Sequence, residues 1–240
     1  MKTLIDLFNT FEALGEKTAF VNRTGIRRLV VSFREFHDLA LKMANLLAKY
    51  GVVQGDRVLI WAPNSSWWAV AYWGIIIRGA VAVPVDFMSD LARAESIRTL
   101  TKSVVVLQSR FKPERLPAAT SLLLEDLQFL LEDVGPIGAI ADVTPEDTAQ
   151  LVYTSGTTGN PKGVILTHKN LVANIIQIHQ QVPIITSRFT FLSLLPLSHM
   201  FELTGGFLTP LCRGAAIVYL RTLKPSAIMS ALGEEDIYVI

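Results

Sequence analysis

A chain of 240 residues, half of them hydrophobic and 18% charged, carries enough apolar material for a large buried core and does not have a disordered composition. Lys plus Arg number 22 against 21 Asp plus Glu; a net charge of +1 gives no long-range attraction to nucleic acid, so no nucleic-acid partner is expected and any anion site must be local. The single cysteine, Cys212, excludes an intrachain disulfide and reads as a small apolar filler in a reducing compartment.

Leu4, Leu7, Phe8, Phe11 and Leu14 recur at helical spacing and predict an opening amphipathic helix that ends at Gly15. Asp6, Glu12 and Glu16 interrupt this stretch and no small-residue cleavage site follows, so it does not read as a signal peptide and the expected location is cytoplasmic. Segments 18–22 and 27–31 are β-rich and flank Arg23-Thr24-Gly25-Ile26 as a hairpin. Ser32 and Glu35 have capping-box spacing, and Phe36, Leu39, Ala40, Met43, Leu46 and Leu47 continue one helical face to Gly51. His37 falls on the polar side of that helix, which predicts a solvated imidazole.

Strand, helix and strand then alternate: a strand at 57–61, a tryptophan-rich helix, a strand at 80–83, a helix near 89–102 and a strand at 104–107. Such alternation predicts an α/β fold of layered, parallel-rich sheets with packed helices. Residues 67–85 are nearly long and apolar enough to cross a membrane, but Arg78, Gly79 and Pro84 interrupt them. Gly79 is placed to end a helix before a short buried strand, so no transmembrane span is expected. Residues 108–145, with Pro113, Pro117, Pro136 and Pro145, predict an irregular connection inside one unit, with Leu122, Leu123 and Leu124 as a strand within it.

A strand at 149–153 delivers the chain into Thr154-Ser155-Gly156-Thr157-Thr158-Gly159-Asn160-Pro161-Lys162-Gly163. Its glycines let backbone N–H groups approach an anion without obstruction by Cβ, and the hydroxyls of Thr154, Ser155, Thr157 and Thr158 and the Lys162 ammonium add donors. Each hydrogen bond to a charged oxygen contributes about 1.5–3 kcal/mol, so converging donors would hold a polyphosphate firmly. By composition alone the segment is equally a hydroxyl-rich hairpin loop. The order is not the Walker pattern, because Gly163 and Val164 follow Lys162 where Ser or Thr would stand. From Thr154 to Gly163 every position fits Thr-Ser-Gly-Thr-Thr-Gly-x-Pro-Lys-Gly, and the segment so resembles the signature of the adenylate-forming superfamily of acyl-CoA synthetases, luciferases and peptide-synthetase adenylation domains.

After a strand at 164–167, His168-Lys169-Asn170 opens a helix with Leu171, Ile175 and Ile178 facing the core. His168 and His179 lack acidic or cysteine partners at metal-binding spacing and read as surface or hydrogen-bonded helix residues. A strand at 189–195 leads to Pro196-Leu197-Ser198-His199-Met200-Phe201-Glu202. A histidine after a buried strand is ordinarily structural; the resemblance gives His199 more weight, since superfamily members carry a Pro-Leu-x-His motif whose histidine lies beside the acid, and the His-Met-Phe-Glu form is similar to long-chain fatty acyl-CoA synthetases. A strand at 215–220, a helix at 226–232 and a strand beginning at 237 follow, and an ending without a stop signal predicts truncation.

The resemblance implies the following chemistry. A carboxylate oxygen attacks the α-phosphorus of ATP and expels pyrophosphate; the thiol of coenzyme A then attacks the acyl carbon of the adenylate and AMP leaves. Thr154, Ser155, Gly156, Thr157, Thr158, Gly159 and Lys162 are implied to bind the β- and γ-phosphates, with Mg²⁺ bridging phosphate oxygens and touching Thr154. His199 is the implied catalytic residue, orienting the fatty acid, and Phe201, Leu203 and Phe207 are implied tunnel residues unless they are plain core. No segment resembles the superfamily's Tyr-Gly-x-Thr-Glu or Thr-Gly-Asp motifs or its lysine-bearing C-terminal domain. Residues 1–240 therefore read as an incomplete N-terminal AMP-binding domain, inactive alone. The expected partners are a fatty acid, ATP and coenzyme A, with peripheral membrane contact and a homodimer as further possibilities. The alternatives are adenylation of an aryl, medium-chain or amino acid, and a non-catalytic, self-associating fragment; a phosphoryl-transfer enzyme is disfavoured by the absent Walker order.

Overall fold

The computed structural model describes residues 1–25, 27–117, 120–154 and 162–240. Its first helix, α1 (Leu4–Phe8), is closed at its start by a full capping box between Thr3 and Asp6. The single helix expected up to Gly15 is broken. Asn9 ends α1, the Thr10 hydroxyl donates to the Leu7 carbonyl at 2.7 Å, and a 3₁₀ turn resumes at Glu12–Leu14. The break turns Phe8 and Phe11 into one core, their ring centroids 5.7 Å apart.

β1 (Thr18–Thr24) and β2 (Arg27–Ser32) form the expected antiparallel hairpin, and α2 (Phe33–Lys49) follows. Only half of the capping box at its start forms: the Ser32 hydroxyl accepts the Glu35 N–H. His37 on α2 is not solvated, because its ring stacks on Phe8 at 4.6 Å and its side chain is only 14% exposed. The aromatic face of imidazole suits it to the apolar wall its helix position offers.

Next come β3 (Arg57–Trp61), α3 (Ser66–Ile77), β4 (Val81–Val85), α4 (Leu91–Thr101) and β5 (Val105–Gln108). The irregular stretch holds β6 (Ser121–Leu123), a 3₁₀ turn that takes up Leu124, and the short α5 (Leu127–Leu130). β7 (Thr148–Thr154), β8 (Lys162–Thr167), α6 (His168–Gln181) and β9 (Thr190–Ser193) follow, then a π-helical turn at Glu202–Leu208, α7 (Thr209–Arg213), β10 (Ala216–Leu220) and α8 (Pro225–Glu234). Residues 237–240 make only an isolated bridge, Val239 to Phe191, in place of the expected strand.

The strands form two sheets, one ordered β2-β1-β10-β9 and the other β6-β5-β3-β4-β7-β8. Every pairing is parallel except the hairpins β1–β2 and β7–β8 at the edges. Between the sheets lies α3, buried at every position but Trp67 and packed against β1, β3 and β4. A helix apolar all round must be buried on all sides, and this placement satisfies that. On the opposite face of the larger sheet Leu59, Trp61, Val83, Val85 and Val106 pack on Ala94 and Ile97 of α4. Burial on both faces explains why the central strands are continuous apolar runs without alternation. Among the described residues no helix is long and apolar enough to cross a membrane.

Candidate active site

The expected phosphate loop joins β7 to β8. Thr154 and Lys162 are paired across this hairpin as its last register, so the segment between them closes the end of an antiparallel ladder anchored to β4 through Gln150 and Ala82. Ser155, Gly156, Thr157, Thr158 and Gly159 lie outside the described residues, as does the Thr154 side chain. Lys162 is exposed. Gly163, beside it, has a packing reason to be glycine: a Cβ there would stand 3.0 Å from Cζ of Tyr153 on the facing strand.

His199 sits on the connection leaving the carboxyl end of β9, and it meets the connections leaving the carboxyl ends of β3 and β4 in the other sheet. In parallel α/β sheets these ends are where ligand crevices form. The His199 Nε2 lies 3.4 Å from Oδ2 of Asp86, just past the end of β4. Asp86 is itself held: its Oδ1 accepts the Met88 N–H at 2.8 Å and its carbonyl accepts the Trp61 indole N–H at 3.2 Å. The imidazole is more than half exposed.

Asn64, three residues beyond β3, fixes the backbone that carries His199. Its Nδ2 donates to the Leu195 carbonyl at 2.7 Å and to the Ser193 hydroxyl at 2.9 Å, and its Oδ1 accepts the Leu197 N–H at 2.9 Å. From the other side Glu202 accepts the Ser193 hydroxyl at 2.5 Å and the Leu195 N–H. The buried Glu202 carboxyl is pushed above the usual carboxylate range by desolvation, a shift that these two donors oppose. Room for it is made one turn later, where a Cβ on Gly206 would lie 2.7 Å from the Glu202 carboxyl. A π-helical turn in this place fits the tendency of such turns to occur at functional sites. Completing the turn, the His199 N–H donates to Pro196 and the Leu203 N–H to His199, each at 2.9 Å.

The structure thus joins His199 to Asn64, Asp86, Ser193 and Glu202, none of which sequence reading had singled out for a role. Glu202 offered a signal, as the only acid in an apolar run; the partners of Asn64 and Asp86 are remote in sequence and offered none. Phe201, expected to line an acyl tunnel, is 76% exposed, whereas Leu203 and Phe207 are fully buried core residues. Among the described residues no group of three or more His, Cys, Asp or Glu side chains is placed to hold a metal ion.

Residues 7–240 match the AMP-binding enzyme family. The chain is 30% identical, over an alignment covering 94% of it and 49% of the relative, to 3-[(3aS,4S,7aS)-7a-methyl-1,5-dioxo-octahydro-1H-inden-4-yl]propanoyl:CoA ligase of Rhodococcus jostii. It is 29% identical to long-chain-fatty-acid–CoA ligase 1 of Schizosaccharomyces pombe, covering 72% of this chain and 29% of that protein. Its backbone superposes with a TM-score of 0.80 on the crystal structure of fatty acyl-adenylate ligase from L. pneumophila in complex with acyl adenylate and pyrophosphate, at 25% identity, covering 98% of this chain and 41% of that one. The chain spans about half the length, or less, of the relatives it matches.

Proposed function

This chain belongs to the AMP-binding enzyme family, and we propose that it supplies the phosphate- and acid-binding N-terminal part of a cytoplasmic, ATP-dependent acid–thiol ligase that joins a long-chain fatty acid to coenzyme A. The observation that carries this reading is the position of the family-type signature at the closed end of the β7–β8 hairpin, between the strand partners Thr154 and Lys162. A hairpin end held by a parallel sheet gives a loop of small residues a fixed base from which its N–H groups can converge on phosphate oxygens. Lys162, exposed at that base, adds a point charge for the γ- or β-phosphate. Mg²⁺ would be held chiefly through the phosphates, with Thr154 as its protein contact, and would supply charge neutralisation to the leaving pyrophosphate.

His199 orients the acid. Asn64 and Glu202 fix the backbone on which it stands and Asp86 restrains its ring, so the imidazole is set before the substrate arrives. Preset donors and charges matter here because two anions, carboxylate and triphosphate, must be brought within reacting distance.

The fatty-acid reading draws support from the His199-Met200-Phe201-Glu202 form and from the S. pombe relative. The R. jostii relative, named for a fused bicyclic propanoyl group, supports a second reading in which the acid is another carboxylic acid. An acid panel in the full-length protein separates the two. Pyrophosphate exchange with palmitate well above that with octanoate, benzoate or a bicyclic propanoate is the expected result, and a strong preference for one of the latter would overturn the long-chain assignment.

A further inference from the structure

A second cleft, of about 620 Å³, opens between the β1–β2 hairpin, the 63–67 connection and Phe111. Its size is that of small-molecule sites. Leu29, Trp67 and Phe111 supply apolar walls, and two of these are conspicuously bare: Leu29 is 56% and Phe111 52% exposed. Large apolar side chains exposed around one concave surface, instead of scattered singly, mark a contact site.

The rim carries Arg23, Arg27 and Arg221 together with Glu35 and Glu125. Arg23 there is neutralised by Glu234 and Glu235 at 2.6 and 3.1 Å. Arg27 and Arg221 have no carboxylate within 4.0 Å among the described residues. The Arg221 guanidinium is held 5.2 Å above the Phe111 ring, so its charge stands over the apolar wall. Of the acids on the lining, Glu125 is occupied by the Ser109 hydroxyl and the Arg110 N–H, and Glu35 lies in the first turn of α2, where the helix dipole favours it. Two cations over an apolar floor are complementary to an anionic head on an apolar tail.

We propose that this cleft binds an amphiphile of that class, a long-chain carboxylate, at a site separate from the one at His199. Asn64 forms the wall between them, lining the cleft while its amide holds Leu195 and Leu197 on the other side. The proposal goes beyond the ligase reading and does not depend on it.

Titration of the chain with cis-parinaric acid, a fluorescent long-chain polyene carboxylate, tests it. Saturable binding is expected with a component, separate from any binding at His199, that is weakened at least about tenfold in Arg27→Glu/Arg221→Glu, because two charge-assisted contacts are reversed. Leu29→Asp weakens it similarly, His199→Ala leaves it unchanged, and the methyl ester binds more weakly than the acid. All three cleft positions are exposed, so the variants keep the fold, and matched thermal melts check this. Absence of saturable binding, binding indifferent to the cleft substitutions, equal binding of acid and ester, or loss of binding in His199→Ala would each overturn the proposal. A failure here leaves the pyrophosphate-exchange assay, which reads the other site, untouched.

Discussion

Asn64 commits its whole amide to one short stretch of chain. Donors to Ser193 and Leu195 and an acceptor for Leu197 leave the backbone ahead of His199 little freedom, and Glu202 closes it from behind. His168 does comparable work at the other end of the chain, its Nδ1 accepting the Leu4 N–H at 3.2 Å and so tying α1 to α6. Burial holds its pKa below the ordinary imidazole value of 6.5, with Asp147 and Asp6 opposing the shift. The folded protein therefore binds fewer protons than the unfolded chain once pH falls below that value, and the stability present above it is lost as pH drops. Protonation at Nδ1 would also set two donors against each other. His168→Gln, an acceptor at every pH, should lose less melting temperature than the wild type between about pH 7.5 and 5.5. An equal or greater loss in the variant would show that His168 is not the titrating tether.

At the scale of elements, the crossing of α2 and α3 sets the spacing of the interior. A Cβ on Gly74 would stand 2.4 Å from Cγ and 2.7 Å from Cβ of Met43, and 3.2 Å from the Ala44 nitrogen. Elsewhere in a helix, Gly→Ala stabilises by about 1 kcal/mol through propensity. Here the Met43 side chain can yield but the α2 backbone cannot, so overpacking wins. Gly74→Ala should lower stability by about 1–3 kcal/mol in urea denaturation; an unchanged or raised midpoint would mean that the helices move apart freely. Much at this scale was legible in advance. The tryptophan-rich helix, the strand at 57–61 and the β1–β2 hairpin follow from apolar runs, Gly and Pro punctuation and turn chemistry. The break in the opening helix was not, because Asn9 and Thr10 interrupt it without disturbing the apolar spacing on either side. Nor was the helical run from Glu202 to Arg213, where Gly205 and Gly206 look like a turn until Glu202 is seen folded against the second of them.

For the whole molecule, local pattern said layered, parallel-rich α/β sheets but not which strands share a sheet, since β1 pairs with β10 across nearly the full chain. That remote pairing brings the end of β9 against the ends of β3 and β4 and makes a site of residues separated by more than a hundred positions, as His199 and Asp86 are. The proposed phosphate loop is read from its own residues because its chemistry is local, whereas the surroundings of His199 depend on sheet order. The measurement that tests the account most directly is ATP–pyrophosphate exchange by the full-length protein with palmitate, beside Lys162→Ala and His199→Ala. Exchange that falls at least about tenfold in each variant, the loss of a charge-assisted contact, is the predicted result. Exchange that neither substitution alters would contradict the placement of the ATP phosphates at the β7–β8 hairpin and of the acid beside His199.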